Sequence, residues 1–294
     1  MYYEQTYLPT LWCEFQLPAL PADAPAPIAA SPPPRAHGKT RPALSPHHLH
    51  IWPASPSMFI AIPSLHNTFT CTLFAPASII TALTTPALFT AYISATFPDL
   101  IPLFGETPLT DQFFTNQHLP LISVRTSPYH YTSRCVLLGD AAHAMVPFYG
   151  QGMNAGFESA RILAEKLAVA PTVEMGLEAY SAERVEDAWA IVELAMRNHE
   201  EMRSGVVQWG YLARKWMEEG LSQWAPWCGV RTLYSMVSFG NERYSVVREK
   251  ERWQAWVEGV VVRGVLGVVG VGMAWRWGVG RALWVGARET WRTL

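Results

Sequence analysis

Leu11, Cys13, Phe15 and Leu17 alternate with Trp12, Glu14 and Gln16, the two-residue period of a strand with one buried face. The pattern predicts a strand over residues 1–17. It then breaks. Residues 18–46 are rich in Pro and Ala with little to bury, and read as a disordered loop or insertion. Structure resumes at "LHIWP". "SMFIAIPS" and "TFTCTLFAP" follow, separated by the turn-like Leu65-His66-Asn67. Thr68, Thr70 and Thr72 alternate with Phe69, Cys71 and Leu73, so this segment predicts an antiparallel pair.

Leu88, Tyr92 and Ala95 have helical spacing over residues 86–97, with Pro86 placed to start the helix. Residues 121–126 and 134–138 read as strands, the second as a short apolar run of the buried kind. From about Asn154 to Ala168 the period is again helical, with Phe157, Ala160, Ala164 and Leu167 predicted on one face. Helices are also expected over 174–203, 206–219 and 242–258. No internal repeat appears.

The last segment, 259–294, is dominated by Val, Gly and Trp. No charged residue lies between Arg263 and Arg276. A helical span needs roughly 20 apolar residues, a length reached here only if one of those arginines snorkels to the interface. Trp275, Trp277 and Trp284 resemble an interfacial belt. The segment is a candidate membrane anchor; the alternative is a buried or poorly ordered Gly/Val segment.

Composition narrows the partners. Lys and Arg number 22 against 24 Asp and Glu, with no basic run, which excludes a nucleic-acid footprint. Hydrophobic residues make up 50% of the 294, enough for a sizeable core. Cys13, Cys71, Cys135 and Cys228 are far apart, so neither a disulfide framework nor a zinc site is expected. His47, His48 and His50 lack a Cys or carboxylate partner nearby and are not read as metal ligands. The first residues lack the charged start and apolar run of a signal peptide.

The stretch "GDAAHAMVPFYGQGMNAG", Gly139 to Gly156, carries the chemistry. A strand ending in Gly139-Asp140 places a carboxylate where α/β sheets bind ligands, able to accept hydrogen bonds from sugar or ribitol hydroxyls. Pro147, Phe148, Tyr149, Gly150, Gln151, Gly152, Met153 and Asn154 then lead into a helix. Glycines before a helix let a ligand approach the backbone N–H groups, and the helix N-terminus favours negative charge. An isolated GQG is ordinarily a tight turn. Gly-Asp, Pro and GQGxN together at short fixed spacing are far more specific. His143 is read as structural.

This combination resembles the flavin-binding end of aromatic-ring flavoprotein monooxygenases with the p-hydroxybenzoate hydroxylase fold. "LHIWP", "FTCTLF", "FPD", "IPLFGE", "LLGDAAHA", "PFYGQGMNAGFE" and "EMR" narrow it to the kynurenine 3-monooxygenases. The resemblance runs from the first residues to about Gln254, interrupted by the Pro-rich stretch. It implies an α/β (α+β) fold: a substrate-domain antiparallel sheet over 1–126 with the insertion at 18–46, part of an FAD-binding domain over 127–170, and C-terminal helices over 171–258. The implied chemistry is FAD-dependent, NADPH- and O2-using hydroxylation of L-kynurenine to 3-hydroxykynurenine, at the outer mitochondrial membrane, or otherwise in the cytoplasm.

By the same resemblance, Gly139, Asp140, Pro147, Gly150, Gln151, Gly152, Met153 and Asn154 contact FAD, with Asp140 on the ribitol. Phe148 and Tyr149 lie where flavin and substrate meet. Leu49, Met58, Ile60, Ile62 and Phe74 wall the substrate ring; without the family, ordinary sheet core is the better reading of these five. Asn198 and Tyr234 bind the amino-acid end of the substrate. Tyr149 stands where Phe or His is expected. No side chain is assigned as a catalytic acid or base.

One departure stands out. The 294 residues contain no GxGxxG, the glycine fingerprint that cradles the pyrophosphate of a dinucleotide. Weak or absent FAD retention and negligible turnover by this chain alone are therefore expected, with an exposed sheet edge beside Cys135–Leu138. The competing readings are a portion of a kynurenine hydroxylase, a non-catalytic remnant with a membrane or partner-binding role, and a related FAD-dependent aromatic hydroxylase. The Pro-rich stretch is compatible with an insertion or an unremoved intron.

Overall fold

The computed structural model describes residues 1–24, 39–204, 220, 231–257 and 259. Helix 206–219, most of the Pro-rich stretch and the 259–294 tail lie, save for Gly259, outside the described residues. Among the described residues no helix is long and apolar enough to cross a membrane.

Five antiparallel strands form the central sheet: β1 (Tyr2–Leu17), β4 (His50–Ala54), β5 (Ser57–Pro63), β6 (Phe69–Pro76) and β7 (Leu119–Ser127), in the order β4-β5-β6-β1-β7. Between β1 and β4, the short strands β2 (Leu20–Pro21) and β3 (Thr40–Arg41) pair with each other. The expected antiparallel pair is β5–β6, turning at Leu65–Asn67. The ends of the Pro-rich stretch depart from the expectation of a disordered loop. Arg41, Ala43 and Leu44 are buried, and Arg41 donates to the Ala24 carbonyl at 2.6 Å.

Successive side chains point to opposite sides of the sheet, and apolar residues at both parities give it two apolar faces. Cys13, Leu73 and Phe59 stand in register across three strands, as do Phe15, Cys71 and Ala61. This face packs against α1 (Ala77–Ala82), α2 (Pro86–Thr96), α3 (Leu100–Phe104) and α4 (Glu106–Thr115) through Ile80, Phe89, Ile93, Leu103 and Phe113. Thr85 caps α2 by accepting from the Leu88 N–H, and Pro86 follows at its first position. The buried stripe of α2 is Phe89 and Ile93, however, and Leu88 is half exposed. The helix was legible and its face was one residue off, because apolar residues occupy both positions and the sheet selects one.

The other face carries Trp12, Phe74 and Met58 in one cross-strand row. It packs against α7 (Val173–Ser204) through Ala190, Ile191, Leu194 and Ala195. Between β7 and α7 run β8 (His130–Tyr131), β9 (Cys135–Val136), α5 (Asp140–His143) and α6 (Gly152–Val169). A buried strand over 134–138 is not found. Only Cys135 and Val136 are extended, both are exposed, and β8 is their one partner among the described residues. A run is buried by neighbours on both sides, and among the described residues β9 pairs on one side.

On α6 the buried positions are Ala155, Ser159 and Ile162, while Phe157 is 68% exposed. The expected Phe157 face is thus turned outward. The reason is the neighbour: α7 presents a buried Arg184 that takes polar atoms from α6 and selects the Ser159 side. Beyond α7, a helix at Leu233–Phe239 and another at residues 244–257 complete the described fold.

Candidate functional site

The Gly139–Gly156 stretch folds as a glycine-hinged path leading into an uncapped helix. Gly139 has φ 59° and ψ −137°, a conformation closed to residues with a side chain, and it launches α5. Thr126 Oγ1 donates to the Ala142 carbonyl at 3.1 Å and Val124 N–H to the Ala144 carbonyl at 2.9 Å, pinning α5 to β7. Pro147–Tyr149 makes one tight helical turn that ends at Gly150 in the left-handed region, φ 64°. Helix α6 then starts at Gly152.

Gln151 precedes α6, and its side chain makes no cap bond to the helix N–H groups. Its Oε1 instead accepts from Asn154 Nδ2 and from the Tyr244 hydroxyl, both at 3.2 Å. The first-turn N–H groups of an 18-residue helix therefore point outward with their partial positive charge. A Cβ added at Gly139, Gly150, Gly152 or Gly156 would meet nothing within 4 Å, so the backbone is open to a close approach. Asp140, Met153 and Asn154 are exposed along the same path. A flat ligand with an electron-rich edge and a hydroxylated tail fits: the edge at the α6 N-terminus, the tail beside the Asp140 carboxylate.

Pro147 is exposed, and Phe148 and Tyr149 turn inward. Phe148 packs on Phe74, ring centroids 5.0 Å apart, and His199 stacks on Phe148 at 4.2 Å and 18°. Asn198 Nδ2 donates to the Phe148 carbonyl at 3.0 Å. Tyr149 stacks with Tyr234 at 6.5 Å and 20°. Met58, Phe74, Phe148 and Tyr149 share one buried cluster, with Ile60 packed against it.

Leu49 and Ile62 are not brought in; they are 52% and 46% exposed. Register explains it. Ile62 lies in a row with Thr70 and Gln16, and Leu49 precedes His50, which pairs with Ala61 at the same end of the sheet. The apolar row of Met58, Phe74 and Trp12 gives way to polar rows in that direction.

Three residues were missed. His199 directly follows Asn198, and no spacing rule marks it. Tyr244 reaches Gln151 across 93 positions. Arg184 interrupts the buried α7 stripe of Leu177, Tyr180, Ala188, Ile191 and Ala195, with a second buried charge, Asp187, three residues on; a charge at that apolar spacing is a faint signal in the sequence. His143 is fully buried, its Nε2 3.1 Å from Ser159 Oγ. Burial and the nearby Arg184 charge push its pKa down to about 4. Ser159 Oγ commits its hydrogen to the Ala155 carbonyl at 2.8 Å, which assigns the imidazole proton to Nε2. His143 thus supports the loop from behind and does not face the open path.

A family model described as "FAD binding domain" matches residues 45–195, just over half of the 294. The chain belongs to this FAD-binding-domain family. It is 46% identical over 292 residues to the kynurenine 3-monooxygenase of Neurospora crassa, covering 93% of this chain and 54% of that relative. It is 45% identical over 281 residues to that of Chaetomium globosum, covering 90% and 56%. The chain spans about half the length of the curated relatives it matches. Among solved structures, Klebsiella pneumoniae HpxO complexed with FAD and uric acid aligns with a TM-score of 0.51 and 16% identity, over 74% of this chain and 50% of that one. The tetrameric form of 2-methyl-3-hydroxypyridine-5-carboxylic acid oxygenase aligns with 0.50 and 17%, over 71% and 52%. These two likenesses carry the fold alone. The fold is the expected α/β one, a partial p-hydroxybenzoate-hydroxylase-like arrangement.

Proposed function

We propose that this FAD-binding-domain chain carries the isoalloxazine and substrate side of a hydroxylase that converts L-kynurenine to 3-hydroxykynurenine, with NADPH and O2 as co-substrates. One observation carries the reading. The open, glycine-lined start of α6 runs directly into Phe148 and Tyr149, which join the apolar sheet face of Met58, Ile60 and Phe74. A flavin site and an aromatic-ring site thus share a wall. The 46% identity to the Neurospora crassa relative supports the choice of substrate.

When bound, FAD supplies the oxygen-transfer chemistry. The chain's own residues do the positioning. Asp140 accepts from ribitol hydroxyls, and the backbone of Gly152, Met153 and Asn154 favours negative charge on the flavin's pyrimidine edge. Phe148, Phe74 and Met58 exclude water from the ring to be hydroxylated. Asn198 holds the Phe148 carbonyl and, with Tyr234, borders the amino-acid end of the substrate. The proposed division has the sheet over 1–126 as substrate domain, 127–170 as flavin-facing segment and 171–258 as helical support. For residues 259–294 we propose an anchor at the outer mitochondrial membrane, supported by the charge-free Val/Gly run between Arg263 and Arg276 and the tryptophans that follow.

The sequence holds no GxGxxG, which favours a second reading, a non-catalytic chain, and sets the expectation of weak flavin retention. The test is visible absorbance after incubation with FAD and removal of free flavin, followed by product analysis with NADPH and L-kynurenine. Substoichiometric flavin with traces of 3-hydroxykynurenine is the expected result. Stoichiometric yellow protein would overturn the weak-retention expectation. Hydroxylation of another ring in preference to kynurenine would overturn the substrate. No flavin and no product at millimolar ligand would leave the non-catalytic reading.

A further inference from the structure

We propose that Arg184 is a positioning residue that holds the start of α6, and with it the Gly150–Asn154 path, in the conformation a ligand meets. The functional consequence rests on the flavin reading above; the positioning itself does not.

Arg184 is fully buried, the largest such side chain among the described residues. Its Nε donates to Ser159 Oγ and its Nη2 to the Ala155 carbonyl, both at 2.9 Å. Its Nη1 lies 2.7 Å from the Glu158 carboxylate, close enough for an ion pair though out of line for a hydrogen bond. Every one of these partners lies in the first two turns of α6. Ala155 is also the residue whose N–H closes the first α6 hydrogen bond, to the Gln151 carbonyl at 2.8 Å. The guanidinium further sits 5.8 Å from the Tyr244 ring, and the Tyr244 hydroxyl holds the Gln151 side chain. The helix start is gripped at Gln151 through Tyr244 and at Ala155 and Ser159 through Arg184. Ser159 passes the grip to His143 on α5, the helix that Asp140 begins.

A planar fork is needed for this. Lysine carries the charge on a single ammonium, which lacks the rigid fork that addresses Ser159 Oγ, the Ala155 carbonyl and the Glu158 carboxylate from separate nitrogens at fixed angles. A buried cation is kept here at the cost of desolvation, when methionine would fill the volume without that cost. The positions it fixes are the ones the glycines leave open.

The test is amide hydrogen exchange of the ligand-free full chain, comparing peptides from 151–160 with peptides from strand 69–76. R184K and R184M are compared with F89L, a change in the opposite core matched for thermal loss. Exchange over 151–160 is expected to rise at least tenfold in both Arg184 variants, with 69–76 unchanged, and F89L is expected to leave 151–160 as in the parent. Should R184M fail to fold, R184K and Y244F decide; Y244F is expected to loosen the same peptides by a smaller factor. A uniform rise across both peptides, or protection of 151–160 restored by lysine, would overturn the proposal. FAD titration by fluorescence quenching forms the second arm. If the parent binds, the Arg184 variants should weaken binding at least tenfold while F89L does not, and equal binding by all would overturn the proposal. If the parent does not bind, the flavin reading fails and the exchange data alone decide the role of Arg184.

Discussion

Asn198 Nδ2 donates to the Phe148 carbonyl at 3.0 Å, so a residue expected to face the substrate is tied to the wall beside it. The next residue, His199, stacks on the ring of the same phenylalanine. Two consecutive α7 residues therefore fix both the backbone and the side chain of Phe148. Replacing Asn198 by Asp removes the donor and sets a carboxylate against a carbonyl oxygen. The expected cost is about 1–3 kcal/mol, read as a lower urea midpoint at neutral pH with unchanged slope. An unchanged midpoint would separate Asn198 from the wall.

Gly139 and Gly156 make opposite predictions from the same open space. Neither offers a steric obstacle to a Cβ. At Gly139 the backbone conformation itself excludes side chains, so Gly139→Ala should destabilise by about 1–3 kcal/mol. Gly156 lies inside α6 with ordinary helical backbone, so Gly156→Ala should stabilise the ligand-free chain by roughly 0.5–1 kcal/mol. Thermal melts of the two variants should move in opposite directions.

Glu251 is 4% exposed and takes both Arg197 terminal nitrogens, at 2.5 and 2.7 Å. This bidentate pair clamps the 244–257 helix to α7. Glu251→Gln keeps the shape and loses one acceptor and the charge, and should cost about 1–3 kcal/mol. Because Tyr244 rides on the same helix, exchange near Gln151 should rise with it. Loss of stability without that rise would show that the two ends of the helix move independently.

The sheet was legible because Leu11–Leu17 of β1 and Phe69–Leu73 of β6 alternate with a two-residue period that leaves no choice of face, whereas β5 is an apolar run whose faces are set by register. The helices were legible as helices and less so as faces. Leu88 and Phe157 are apolar and exposed, since the sheet packs on Phe89 and α7 packs on Ser159. The Gly-Asp and GQGMN segments stood out because glycine and small residues mark close approach whatever the fold. The brace behind them is faint in the sequence for two reasons. Arg184 contradicts the expectation that charges face water, and Tyr244 meets Gln151 through a contact that no local pattern encodes. Leu49 and Ile62 share the parity of the wall but sit in its polar rows, a distinction that needs register and not period.

Acid should expose the same brace. Burial, then the Arg184 charge, lower the His143 pKa to about 4 from 6.5, with Asp140 acting weakly the other way. The folded chain thus keeps His143 neutral where the unfolded chain takes up a proton. The contribution to stability is complete above about pH 6.5, falls by roughly 1.4 kcal/mol per pH unit on acidification, and is gone near pH 4, about 3 kcal/mol in all. His143→Gln offers a hydrogen-bond donor to Ser159 Oγ and has no proton to gain. Urea midpoints at pH 7.5, 5.5 and 4.5 should fall more steeply for the parent than for H143Q. Carboxylates elsewhere titrate in both proteins and cancel in the difference. Parallel slopes would mean that His143 reaches solvent and protonates without cost, and that the Arg184–Ser159–His143 contact is not held in solution.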